Sequence, residues 1–191
     1  FAQANDDAIN SGGDMTISGG TVMAYSTGND GLDANGNCYI KGGTVYAIGS
    51  SSPEVGIDAN TEGGYKLYVQ GGTIVSIGGL ESGSSLSQSC YTATASTNTW
   101  YALYDGSNLA FTFKTPTSLR ATTMVVSTSS SPTLQSGVTT SGGTTILSGY
   151  AQTGATVSGG NSVSLSSYTG GNSGGGPGGN NPGGGGHGGH W

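Results

Sequence analysis

Short runs of alternating apolar and polar residues recur along the first part of the chain, and glycines break each run. Asp7-Ala8-Ile9-Asn10 returns as Asp30-Gly31-Leu32-Asp33 and again as Val55-Gly56-Ile57-Asp58. Each copy leads into a short alternating strand, a turn and a second strand. The turn and second strand read Ser18-Gly19-Gly20-Thr21-Val22, Lys41-Gly42-Gly43-Thr44-Val45 and Gln70-Gly71-Gly72-Thr73-Ile74. Leu32 follows Ile9 by 23 positions, and Ile57 follows Leu32 by 25. Alternation at period two reads as strand. A fixed repeat of this size reads as a solenoid, in which each coil buries its apolar side chains against the next.

Stacking the coils in register gives five inward ladders. They are Ile9–Leu32–Ile57, Met15–Cys38–Leu67, Ile17–Ile40–Val69, Val22–Val45–Ile74 and Ala24–Ala47–Ser76. Neighbouring rungs of a sheet lie about 4.8 Å apart, so such ladders fill the interior of the stack. The Gly-Gly pairs suit corners where the backbone takes positive φ. The fold this predicts is all-β: a right-handed parallel β-helix with irregular C-terminal strands and a Gly/Pro-rich tail. Residues 1–85 form the regular coils, 86–168 an irregular β continuation that extends or packs on the helix, and 169–191 the tail.

In the irregular part, Trp100-Tyr101-Ala102-Leu103-Tyr104 and Leu109-Ala110-Phe111-Thr112-Phe113 flank Asp105-Gly106-Ser107-Asn108, which predicts a β-hairpin. Residues 122–127, 144–147 and 162–165 are further strand candidates. The tail is almost entirely Gly, Pro and Asn before His187, His190 and Trp191.

Composition narrows the partners. Net charge is −6, and Lys41, Lys66, Lys114 and Arg120 are the cationic residues. Nucleic acid is excluded as a partner, because phosphate binding needs clustered Lys and Arg. Without a run of about 18 apolar residues, no membrane insertion is expected. Abundant Ser, Thr, Asn and Gly with little Lys or Glu points to a secreted, extracellular or cell-surface protein, whose leader is expected to have been removed. Cys38 and Cys90 lack the spacing of a metal or redox motif. Cys38 falls on an inward ladder, and a bond to Cys90 stays open in an oxidising compartment.

Asp6-Asp7-Ala8-Ile9-Asn10, the run Gly13-Asp14-Met15-Thr16-Ile17-Ser18-Gly19-Gly20-Thr21-Val22, its echo over residues 29–45, and Phe113-Lys114-Thr115-Pro116 resemble a known family. It is the bacterial carbohydrate-binding parallel β-helix family, formerly a domain of unknown function, with a polysaccharide-lyase-like shape. The resemblance spans roughly residues 5–165 and is strongest over the first 80. It implies a right-handed parallel β-helix, bound calcium, and affinity for acidic polysaccharide such as polygalacturonate, or for cellulose, without catalysis.

Nine of the ten acidic residues lie between Asp6 and Glu81. Asn10, Asp33 and Asp58 occupy one outward position per coil. Asp7 and Asp30 make a second column, with Asp6, Asn29 and Glu54 beside it. Stacked carboxylates repel unless a cation screens them, and Ca²⁺ takes six to eight oxygens. A calcium site from Asp7, Asp30, Asp33, Asp58 and Asn10 is one expectation. The other is that these side chains bond backbone at turns. A lyase would need a Lys or Arg base beside such a site, and a hydrolase paired carboxylates at a set separation. Lys41 and Lys66 do not clearly join the column, so no enzyme is expected.

Outward positions of the second strand read Met23, Tyr46 and Val75, then Tyr25, Ile48 and Ile77. Such a stripe must be covered by the C-terminal half or used as a surface. A Gly/Pro tail gains nothing from ordering alone, so its ordering would require contact with other copies. Met23, Tyr25, Tyr46 and Trp191 are accordingly candidate interface residues. The expected function is an extracellular structural protein that self-assembles with copies of itself into a filament or array. The alternative is a soluble, calcium-dependent binder of acidic polysaccharide.

Overall fold

A computed structural model describes residues 1–170; the tail expected from 169 onward, with Trp191, lies almost wholly outside the described residues. The chain is all-β, and among the described residues the one helical element is a single 3-10 turn at Leu147–Gly149.

The repeating half builds three stacks of parallel strands. The long strands Ala2–Ala4, Thr21–Ser26, Thr44–Ile48 and Thr73–Ile77 pair in that order. Met15–Ile17, Cys38–Ile40, Leu67–Val69 and Ser85–Leu86 form the second stack. Ile9–Ser11 pairs with Leu32–Ala34, and bridges carry that line on through Ile57 to Leu80. All five ladders hold the register that the repeat spacing predicts. Their side chains, Leu32, Cys38, Ile40, Val45, Ile57, Leu67, Val69 and Ile74 among them, fill a core inside the stack. Gly43 shows why the corners repeat glycine: its φ is +83°, and a Cβ there would sit 2.7 Å from Gly20 O in the coil before. That spacing forbids any side chain.

The second half does both things allowed for it. It extends the long-strand sheet with Thr123–Ser127, Cys90–Thr94 and Ser166–Tyr168, all antiparallel. It also folds a six-stranded antiparallel sheet, ordered Thr144–Ile146, Ala151–Thr153, Asn108–Lys114, Trp100–Asp105, Pro132–Ser136, Asn161–Val163. The expected hairpin is its centre: Asp105 pairs with Asn108 across Gly106 and Ser107, with Gly106 at φ +61°. Glycine at the first turn position is what a tight, strongly twisted hairpin turn requires.

That sheet lies over the outward stripe and makes a second core. Met23, Tyr25, Tyr46, Ile48, Val75 and Ile77 meet Tyr101, Leu103, Phe111, Phe113, Leu134 and Ala151. Met23 and Tyr46 are 0% exposed and Tyr25 is 7%. The expectation that these three face another copy is therefore corrected: the chain covers them itself. The cause lies in the hairpin, where Tyr101, Leu103, Phe111 and Phe113 alternate to give one strongly apolar face. Burying aromatic surface at about 25 cal/mol per Å² outweighs leaving both faces wet. Tyr46 keeps its polar end satisfied by donating from its hydroxyl to Lys114 O at 3.1 Å. Cys38 and Cys90 are both buried and unbonded.

Candidate functional site

The acidic columns stand on the edge of the coil stack where Ile9–Ser11 and Leu32–Ala34 pair. Their hydrogen bonds run from coil to coil. Asp30 N–H donates to Asp7 Oδ1 at 3.1 Å, and Val55 N–H donates to Asp30 Oδ1 at 2.5 Å. The same device recurs at the next corner, where Asn37 N–H donates to Asp14 Oδ1 at 2.7 Å and Lys66 N–H to Asn37 Oδ1 at 3.1 Å. Each side chain clips the backbone of the following coil, satisfying a donor that the turn leaves free. Asn10 donates its side-chain amide to Asp33 Oδ2 and, at 3.2 Å, to Asp7 Oδ2.

The structure thus brings Asp7, Asn10, Asp30 and Asp33 together, with Asp58 next to Asp33 and Glu81. Burial pushes the Asp30 carboxyl up to about 8, against the bond from Val55 and with help from Glu54, Asp7 and Asp33. Asp33 rises to about 6, through burial and then the Asp7 charge. Asp58 rises to about 10, through burial, a hydrogen bond with Glu81 and the charges of Asp30, Glu81 and Asp33. Burial disfavours the ionised form, and a second carboxylate nearby disfavours it further. Burial and mutual repulsion thus favour the protonated forms of Asp30, Asp33 and Asp58 over a fully ionised column. Among the described residues, no three His, Cys, Asp or Glu side chains gather closely enough to hold an ion. For calcium to bind Asp7, Asp30 and Asp33, these carboxylates would have to swing off the bonds they make.

A second site lies on the outer face of the Met15–Ile17, Cys38–Ile40, Leu67–Val69 stack, which no other sheet of the described residues covers. The middle residue of each strand points outward there, giving the row Thr16, Tyr39, Tyr68 and Ser85. The Tyr39 and Tyr68 rings stack at 4.9 Å between centroids, tilted by 11°. Lys41 Nζ lies 5.1 Å from the Tyr39 ring centre. A cation over a ring at that range gains about 0.5–1 kcal/mol when exposed. Asp14, Asn37 and Lys66 form the flanking row on one side; Ser18, Lys41 and Gln70 form the other. Lys66 and Lys41 are exposed, so this face holds two of the chain's four cationic residues. Ser85 lies opposite Tyr68 on the side away from Tyr39, so little side-chain bulk stands over that ring face.

Sequence reasoning passed over this pair, although its signal was present. Cys38-Tyr39-Ile40 and Leu67-Tyr68-Val69 each set a tyrosine between two ladder residues, so alternation sends both rings outward in register.

Compared with protein-family models, with curated proteins and with solved structures, the chain matches none. The resemblance to carbohydrate-binding β-helices therefore rests on its motifs alone. No helix among the described residues is long and apolar enough to cross a membrane.

Proposed function

We propose that this chain is a secreted, non-catalytic polysaccharide-binding protein built on a right-handed parallel β-helix. The carrying observation is the half-buried, outward-facing Tyr39–Tyr68 stack with exposed Lys41 and Lys66 around it. A pyranose ring has an apolar C–H face and a polar rim, and an open aromatic face beside hydrogen-bonding and cationic groups complements both. The two lysines favour a glycan bearing carboxylates, and they meet it directly, with no metal needed as a bridge. The parallel ladders support the helix reading, and right-handed crossovers are the rule for parallel strands. Self-assembly through Met23, Tyr25 and Tyr46 loses its support, since those side chains form the second core.

Glycan-array binding with and without chelator, followed by titration calorimetry on the best ligand, tests the proposal. Tyr68→Ala is expected to weaken binding by about 0.5–1.5 kcal/mol, a roughly two- to tenfold loss. Lys41→Gln with Lys66→Gln should remove the preference for acidic over neutral glycans. Binding that disappears with chelator would return the role to the acidic column. Binding untouched by either substitution would place the site elsewhere.

A further inference from the structure

Tyr39 and Tyr68 carry a second chemistry that needs no sugar. Their strands pair in register, Cys38 with Leu67, Tyr39 with Tyr68 and Ile40 with Val69. The four ladder residues beside them are 0% exposed and packed inside the stack. The backbones under the two rings are therefore fixed about 4.8 Å apart. The phenol rings lie nearly parallel, with 4.9 Å between centroids and 11° between planes. Among the described residues this is the one pair of tyrosines stacked face to face. Tyr25 and Tyr150 meet edge-on at 6.0 Å, and Tyr25 is buried. Tyr39 and Tyr68 are half-buried on an outer face, within reach of solvent. Between them the chain makes a long irregular excursion, in which residues 49–66 join the sheets only through the bridges at Ile57. No disulfide ties that excursion down, since Cys38 and Cys90 are unbonded.

We infer that Tyr39 and Tyr68 are a site of oxidative coupling, joined ring to ring as a dityrosine that ties the second coil to the third. The oxidant is hydrogen peroxide, used by a haem peroxidase. Each phenol gives up one electron and its hydroxyl proton, leaving a tyrosyl radical with spin on the ring carbons next to the oxygen. One such carbon from each ring forms the new C–C bond. The hydrogen on each joined carbon then moves to the phenol oxygen, restoring both aromatic rings and both hydroxyls. Peroxide takes the two electrons and two protons and leaves as two waters. Radicals that must find each other by diffusion couple slowly. Here the fold holds the partners in contact, which makes the step intramolecular. The rings must turn from stacked to edge-joined, a rotamer change that surface side chains make within nanoseconds. The link closes the chain across the irregular excursion and so removes freedom from the unfolded state.

Dilute protein treated with peroxidase and hydrogen peroxide, then run on a denaturing gel, supplies single chains for peptide mapping. Trypsin cuts after Lys41 and Lys66, so residues 1–41 and 67–114 should leave as one peptide. Its mass should be two hydrogens below the sum of the parts, with dityrosine fluorescence. Tyr39→Phe and Tyr68→Phe keep the stacked rings and should each abolish the linked peptide. Tyr65→Phe removes the most exposed tyrosine, at 42%, and should leave the yield unchanged. Thermal melts before oxidation confirm that each variant is folded. The linked chain should need more urea to unfold than the unlinked one. Single chains without the linked peptide, or a link that persists in both Phe variants at 39 and 68, would overturn the inference. A link that leaves the urea midpoint unchanged would overturn its role as a tie between coils. None of these readouts involves a glycan, so the outcome is independent of the binding proposed above.

Discussion

Asp30 is the residue at which the acidic column can be interrogated most directly. It is 8% exposed, its carboxyl sits near 8 instead of the usual 3.8, and it holds the Val55 N–H. The folded state therefore keeps a proton that the unfolded chain releases, so the unfolded state binds fewer protons across this range. Stability then falls as pH rises from about 4 towards about 8, and levels off above the folded value. The slope for one group is at most about 1.4 kcal/mol per pH unit, giving an upper bound of about 4 kcal/mol by pH 7. Coupling to Asp33 and local relaxation reduce this, so about 1–3 kcal/mol is expected. Asp30→Asn keeps an acceptor for Val55 and removes the titration. It should stabilise the protein by that amount at pH 7–8 and have little effect near pH 4. Urea unfolding at several pH values, in chelator throughout, measures it. A wild type equally stable at pH 4 and pH 8, or a destabilised Asp30→Asn in chelator at pH 7, would refute the reasoning. A parallel series in calcium separates the other reading of the column. There, calcium would raise wild-type stability by about 2.7 kcal/mol at a hundredfold excess over Kd, and Asp30→Asn would lose that gain.

Asp105 should behave in the opposite sense. Hydrogen bonds from the Ser129 hydroxyl and Ser130 N–H hold its carboxyl below the usual range. Its support is present at neutral pH and lost as pH falls through that depressed value, so Asp105→Asn should be mildly destabilising at pH 7 and neutral in strong acid by the same urea assay. Tyr46→Phe removes the hydroxyl bond to Lys114 O and should cost about 1 kcal/mol, whereas Tyr46→Ala should cost about 3–5 kcal/mol and detach the covering sheet first, seen as early loss of Tyr and Trp near-ultraviolet dichroism. Burial pushes the Cys38 thiol up to about 12, with Asp58 and Asp33 adding to it, and raises Cys90 too. Neither should react with a thiol reagent at pH 8 until urea unfolds the chain.

The coil half was legible because its physics is local and repeated. Ile9, Leu32 and Ile57 announce one ladder at a spacing of 23 and 25 residues, and every further ladder follows from alternation. Of the covering sheet the hairpin was legible, and the strand candidates at 144–147 and 162–165 fall on its Thr144–Ile146 and Asn161–Val163. Its other strands, such as Pro132–Ser136 and Ala151–Thr153, are short and half polar, and what fixes them is the partner strand across the sheet. Met23, Tyr25 and Tyr46 carried the right signal, an apolar stripe that needs covering. The sequence alone does not say whether the cover comes from the same chain. The acidic column was legible as a set of neighbours. Its bonding was not, because a carboxylate clipped to the next coil's N–H and one free for a metal share the same sequence pattern.

The two outer faces of the coil stack divide polar chemistry by what neighbours it. On the acidic edge, carboxylates bond backbone and one another, and burial keeps part of the charge off the molecule. On the tyrosine face, Asp14 and Asn37 spend their oxygens on Asn37 and Lys66 N–H groups. Asp14 stands on the flanking row opposite Lys41, which lies over the Tyr39 ring. Lys66 is likewise exposed, on the row above Asn37. Lys41 and Lys66 stay exposed on the face that carries the half-buried Tyr39–Tyr68 stack, and the acidic sugar chain proposed as ligand would use both.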